Sequence, residues 1–145
     1  MIYIGIDPGA SGGIAVYEDG HGMVATKMPE TEADIALEFQ SWKLMGPSKA
    51  IIEKVHAMPG QGVTSMFSFG KNYGFLRGCL ISLGIPFDEV TPQTWQKALG
   101  CLTKGDKNVS KAKAQQLFPG IKVTHAIADS LLIAEYLRRR ETGGL

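Results

Sequence analysis

Cysteine is scarce in this chain. Only Cys79 and Cys101 occur in 145 residues, with no Cys-x-x-Cys pair and no histidine beside either. That excludes a disulfide framework and the ligand spacing of structural zinc, so both thiols read as reduced. Long apolar runs are also missing: none approaches the ~18 residues of a membrane-spanning helix. The opening Met1-Ile2-Tyr3-Ile4-Gly5-Ile6-Asp7 has neither the basic flank nor the extended apolar stretch of a secretion signal. The expectation is a soluble, cytoplasmic protein with no membrane partner. Repeats, low-complexity tracts and Pro/Gly/Ser-rich linkers are absent as well, so nothing in the sequence divides residues 1–145, and the length suits a single domain.

What is present is enough apolar material for a core, 44% hydrophobic residues against 20% charged, which argues against disorder. The net charge of +1 conceals an asymmetry. Residues 1–70 hold four Lys/Arg against eight Asp/Glu, and residues 71–145 hold eleven against six. An acidic half that could hold metal and a basic half that could hold phosphate are compatible with a metal-dependent enzyme acting on nucleic acid.

Residues 2–6 are short, apolar and β-branched, and end at Asp7-Pro8-Gly9, which predicts a buried strand. Residues 12–17 predict a second strand, and Glu18-Asp19-Gly20 the turn into a third over 21–28. Ile35, Leu37, Phe39 and Trp42 recur at roughly helical spacing before Gly46-Pro47 stops that helix. A strand over 50–52 runs into Glu53. The loop Met58-Pro59-Gly60-Gln61-Gly62 then leads into a helix of about twenty residues reaching Leu83. Residues 86–90 predict a fifth strand, Thr91-Pro92 caps a short helix to Leu99, and 100–108 read as loop. Two helices, near 109–118 and 125–140, finish the chain. This order matches the ribonuclease H-like α/β fold, a mixed five-stranded sheet flanked by helices.

Asp7 and Glu53 both fall at the C-terminal ends of apolar strands, where side chains face a crevice. If those strands are neighbours, the carboxylates converge, and two close carboxylates repel unless a cation or a shared proton intervenes; the pattern suggests a divalent metal on hard oxygen ligands. Asp129 sits in the apolar helix Ala126-Ile127-Ala128-Asp129-Ser130-Leu131-Leu132-Ile133-Ala134, where a lone carboxylate is costly to bury. His125, four residues earlier, shares its face and is either a further ligand, a general base, or only the neighbour of the cap Thr124. Asp7-Pro8-Gly9-x-x-Gly12-Gly13 is a tight strand connection or a phosphate-approaching turn. Actin-like ATPases and sugar kinases open in a similar way, but a second phosphate loop and a second lobe are missing here.

Four blocks together carry a resemblance: Ile4-Gly5-Ile6-Asp7-Pro8-Gly9, Ile51-Ile52-Glu53, Thr91-Pro92-Gln93-Thr94-Trp95-Gln96-Lys97, and Ile127-Ala128-Asp129-Ser130-Leu131-Leu132-Ile133-Ala134. Over almost its whole length the chain resembles RuvC-type Holliday junction resolvases, particularly short bacteriophage members. The resemblance implies a homodimeric, Mg²⁺- or Mn²⁺-dependent endonuclease of a bacterial or phage-infected cell. Such an enzyme nicks opposing strands of a four-way DNA junction and leaves 5′-phosphate and 3′-hydroxyl ends. It implies that Asp7, Glu53 and Asp129 are metal-binding carboxylates. Many members carry a second Asp where this chain has Ala126, which cannot ligate, and His125 is the available substitute. Lys97, Lys104, Lys107, Lys111 and Lys113, opposed only by Asp106, are either a solvated face or phosphate contacts; the resemblance adds that lysines of this stretch assist near the metals. His56 stands where related resolvases place an aromatic residue near the junction centre, and reads equally as an ordinary loop histidine. Gly70, Gly74 and Gly78 require a close neighbour along the long helix, either the sheet beneath or a second subunit. Two other functions stay open: a less selective nuclease on forks, flaps or RNA–DNA hybrids, and a non-catalytic branched-DNA-binding module of the same fold.

Overall fold

The computed structural model describes residues 1–56 and 59–145; Met58, which the sequence assigns to a loop, lies outside them. In chain order the elements are β1 (Ile2–Asp7), β2 (Gly13–Glu18), β3 (Gly22–Lys27), α1 (Glu32–Met45), β4 (Ser48–Glu53), α2 (Val63–Ser82), β5 (Phe87–Val90), α3 (Pro92–Ala98), α4 (Lys107–Leu117) and α5 (His125–Thr142). The strands form one sheet in the order β3-β2-β1-β4-β5. β1, β2 and β3 pair antiparallel, as the turn signals require, whereas β1 pairs parallel with β4 and β4 with β5. The expected mixed five-stranded sheet is the one observed.

Side chains alternate across a strand, and this alternation sorts the molecule into three layers. Ile2, Ile4, Ile6, Ile14, Val16, Ala50 and Ile52 point to one face and pack with Ile35 and Phe39 of α1 and Leu76 and Leu80 of α2. Tyr3, Ala15, Ile51 and Val90 point to the other and pack with Trp95 of α3, Ala114 of α4 and Leu131 of α5. α5 lies almost on the backbone of the sheet. A Cβ at Gly5 would stand 2.3 Å from the backbone nitrogen of Ala134, and one at Gly13 would stand 2.6 Å from the carbonyl oxygen of Ala126. Glycines on the strands therefore face a stripe of small residues, Ala126, Ser130 and Ala134, spaced four apart on one helical face. The backbone of Ala126 belongs to the contact that seats α5.

Two expectations change. The loop read over 100–108 ends earlier, because Asp106 acts as N-cap, its carboxylate accepting from the backbone N–H of Asn108 at 3.0 Å, and α4 begins at Lys107. The glycine stripe of α2 does not lie over the sheet. Among the described residues, no atom comes within 4 Å of a Cβ built at Gly70, Gly74 or Gly78.

Candidate active site

The last register pair between β1 and β4 is Ile6 with Ile52, so Asp7 and Glu53 follow it side by side at the C-terminal ends of parallel neighbours. Alternation then fixes their direction. Asp7 follows Tyr3 and Gly5 on the face covered by α5, and Glu53 follows Ile51 on that same face. α5 brings Asp129 in one turn beyond its start at His125, seated by the small-residue stripe. The turn after Asp7 is pinned from the opposite layer: the Gly9 N–H donates to Asn72 Oδ1 at 2.7 Å, and the Phe69 ring closes on Gly9.

The three carboxyl groups are linked electrostatically. Burial drives Asp7 well above the ordinary carboxylate range, the charges of Glu53 and Asp129 add to the rise, and Lys107 opposes it. Burial likewise pushes Glu53 up to about 7, against a hydrogen bond from Trp95 and with a further push from Asp129. Asp129 is raised by burial, while Ser110, Lys107 and His125 pull it back. The buried Ser110 hydroxyl stands between this carboxylate and the Lys107 carbonyl oxygen, 3.1 Å away, and its single proton serves either.

Three mutually repelling, desolvated, hard-oxygen donors are the donor chemistry that Mg²⁺ or Mn²⁺ takes. Among the described residues, however, no three His, Cys, Asp or Glu side chains stand close enough together to form a finished metal-binding group. The site offers a donor set of matching chemistry on one face of the sheet.

The basic stretch divides. Lys107, the first residue of α4, is the lysine whose charge reaches both Asp7 and Asp129. Lys111 follows one turn later on its helical face. Lys113 lies round the helix, and its charge acts on the buried Cys101. Lys97 on α3 and Lys104 in the loop before α4 are exposed, and Lys104 adopts a left-handed backbone, φ +48°. His125 is exposed, and its charge acts on Asp129. His56 is exposed in the segment after β4. A groove of about 820 Å³ opens beside the turn after Asp7, but Glu30 and Glu32 line it together with Ser68 and Lys71, so it is no basic channel.

No family model and no curated protein matches the sequence. Solved structures do match the fold. Thermus thermophilus RuvC superimposes over 99% of this chain and 98% of its own, with a TM-score of 0.60 and 17% identity. T. thermophilus RuvC in complex with a Holliday junction substrate gives 0.62 and 16% over the same shares. The chain has the RuvC fold. At these identities the likeness establishes the ribonuclease H-like architecture expected from the element order, and it spans the chain from end to end.

Within that RuvC fold the sequence reading missed two residues at the carboxylates, Trp95 and Ser110. Trp95 is fully buried and donates from Nε1 to Glu53 Oε2 at 2.7 Å. Its signal was present, since a buried indole needs an acceptor and the Thr91-Pro92 cap fixes its place one turn into α3. Ser110 gave no such signal, because a serine inside a lysine-rich helix looks like any other surface position.

Proposed function

We propose that this chain is a metal-dependent, structure-selective DNA endonuclease that resolves four-way junctions as a homodimer by paired symmetric nicks, leaving 5′-phosphate and 3′-hydroxyl ends. The observation that supports the reading is Asp7 and Glu53 side by side at the ends of β1 and β4, on the face covered by α5, with the charges of Asp129 of α5 and Lys107 of α4 both acting on Asp7, in a RuvC fold. The existence of a RuvC bound to a Holliday junction supports branched DNA as the partner.

In this mechanism Asp7, Glu53 and Asp129 would hold Mg²⁺ or Mn²⁺, with His125 as a further ligand or as the base that takes the proton of the attacking water. Bound there, the ions would supply Lewis acidity to the water and to the leaving 3′ oxygen. Lys107 places positive charge beside the scissile phosphate, where charge builds during in-line attack. Lys97, Lys104 and Lys111 hold the flanking backbone, and their contacts set position rather than sequence. His56 stacks at the junction centre. The exposed seam of α2 joins two protomers, because two symmetric cuts need two sites.

A synthetic mobile junction labelled on each strand tests the reading, with and without Mg²⁺ and alongside forks, flaps and RNA–DNA hybrids. Symmetric nicks confined to the junction and requiring Mg²⁺ are expected; equal cutting of the other substrates replaces this reading with the less selective nuclease. Two observations favour a second reading, a non-catalytic branched-DNA-binding module: Ala126 occupies the place of a ligand, and the carboxylates form no finished cluster among the described residues. Tight junction binding with no cleavage at any Mg²⁺ or Mn²⁺ concentration is its signature.

A further inference from the structure

We propose that Trp95 is the positioning residue of this site, its indole N–H holding one oxygen of Glu53 so that the other is turned toward the cation. The proposal rests on the carboxylate site above.

The local structure leads to it step by step. The β4–β5 ladder ends at the pair Glu53 and Val90, and Lys54 N–H closes it on the Val90 carbonyl. Thr91 follows at once as N-cap of α3, its side chain accepting from Thr94 N–H, and Pro92 occupies the first turn. One turn on, Trp95 swings back over the end of β4, and its Nε1 meets Glu53 Oε2 at 2.7 Å. The ring has no freedom to look elsewhere: it is 0% exposed and packed with Val90, Leu99 and Leu131. Among the described residues, Glu53 Oε1 takes no side-chain hydrogen bond.

The choice of residue type matters. An indole N–H only donates, so Trp95 orients a carboxylate without competing for a cation or exchanging a proton with it. A hydrogen bond to a charged oxygen is also stronger than a neutral one. The next residue faces the other way: Gln96 Oε1 accepts from both the N–H and the hydroxyl of Thr103 at 3.3 Å. One helical turn thus grips the Glu53 carboxylate on one side and the base of the Lys104 loop on the other.

Trp95→Phe keeps an aromatic ring and deletes the donor. The Mg²⁺ concentration giving half-maximal cleavage is expected to rise about tenfold, the scale of one charged hydrogen bond. Cleavage at saturating Mg²⁺ is expected to stay within about threefold and metal-free junction affinity within about twofold, since the oriented carboxylate is the part altered. An unchanged Mg²⁺ midpoint overturns the proposal. A second measurement needs neither that variant nor cleavage. Trp42→Phe leaves Trp95 as the single tryptophan, and its emission is expected to be quenched saturably by Mn²⁺, with the quenching lost in Trp42→Phe/Glu53→Gln. Emission indifferent to Mn²⁺ overturns the proposal even if Trp95→Phe fails to fold. If Mn²⁺ quenches Trp95 through Glu53 while no branched DNA is cut, the cation beside the Trp95–Glu53 pair stands and the nuclease reading fails; if DNA is cut and the emission is indifferent, the reverse holds.

Discussion

Asp7 and Glu53 stand next to each other, each one step past the last residues paired between two adjacent parallel strands, and the charges of Glu53 and Asp129 both raise the cost of ionising Asp7. Replacing Asp7 by Asn keeps the shape and removes one of the charges a cation would meet. Losing a group that merely orients a ligand already lowers metal affinity or activity 10–100-fold, so loss of a ligand is expected to lower cleavage by at least about a hundredfold. Junction binding, which rests on lysines, is expected to persist. Gel-shift and cleavage assays on the same preparation separate the two, and full cutting by Asp7→Asn would falsify the mechanism. The same substitution is expected to raise metal-free stability at pH 8, because a neutral amide replaces a buried charge.

The pH dependence of the metal-free protein follows from the same burial. A carboxyl whose pKa is higher in the folded than in the unfolded chain stabilises the fold fully below its unfolded value. That contribution is lost as pH rises through the folded value. For Glu53 the window runs from 4.5 to about 7, and the loss is about 3 kcal/mol at 1.36 kcal/mol per pKa unit; Asp7 adds to it in the same direction. Urea denaturation in chelator is expected to show lower stability at pH 8 than at pH 5. Mg²⁺ is expected to restore more at pH 8, where the carboxylates are ionised. Stability that is level or increasing over that interval contradicts the burial of these groups.

The lysines are expected to separate by function. If Lys97, Lys104, Lys107 and Lys111 each neutralise a phosphate, log Kd against log salt has a slope of magnitude about 3.6, and each alanine substitution reduces that by about 0.9. Lys107→Ala alone is expected also to slow cleavage at saturating DNA, because its charge reaches Asp7 and Asp129. Lys113→Ala, on a different side of α4 from Lys107 and Lys111, is expected to leave the slope nearly intact. Salt titrations of binding and single-turnover cleavage test the division; a slope change for Lys113 equal to that for Lys111 removes it.

Gly5 makes a prediction about stability alone. A methyl group there would sit 2.3 Å from the Ala134 backbone nitrogen and 2.7 Å from the Ser130 carbonyl oxygen, neither of which can rotate away. Gly5→Ala is expected to cost about 3 kcal/mol or more, the upper end for overpacking, read from urea midpoints. A near-neutral change would show that α5 is free to lift from β1.

Much of this was legible in the sequence because the governing signals are local. Apolar strands ending at Asp7 and Glu53, a turn at Glu18-Asp19-Gly20, and the Thr91-Pro92 cap each specify an element through neighbouring residues, and their order specified the sheet. What escaped depended on distant partners. The indole of Trp95 is assigned by a carboxylate 42 positions away, and the Gly9 N–H by an asparagine 63 positions away. Asp106 was read as part of a loop because capping residues and turn residues are the same types; only its bond to Asn108 N–H separates the cases. The close approach of α5 to Gly13, whose built Cβ would stand 2.6 Å from the Ala126 carbonyl oxygen, likewise joins residues more than a hundred positions apart.

The last prediction concerns the outer face of α2. Val63, Phe67, Gly70, Gly74, Gly78 and Ile81 recur at steps of four, three, four, four and three, which keeps them on one side of the helix. Val63, Phe67 and Ile81 are 87%, 75% and 63% exposed, and nothing among the described residues covers the glycines between them. Bulk at the two ends and bare backbone in the middle is a self-complementary profile: crossed on its own copy near Gly74, the helix can lay Phe67 into the partner's glycine stretch. Glycine lowers helix propensity by roughly 0.5–1 kcal/mol per position, so three in one exposed face are a cost that close packing would offset. Gly74→Leu is therefore expected to act in opposite directions on the two states. In the lone protomer it meets open space and strengthens the helix, so the urea midpoint at low concentration should rise. In the pair it separates the helices, so sedimentation should move from twice the 15.6 kDa chain mass to once, and paired nicking should give way to single nicks. A variant that still sediments as a dimer would show that the two protomers meet on another face.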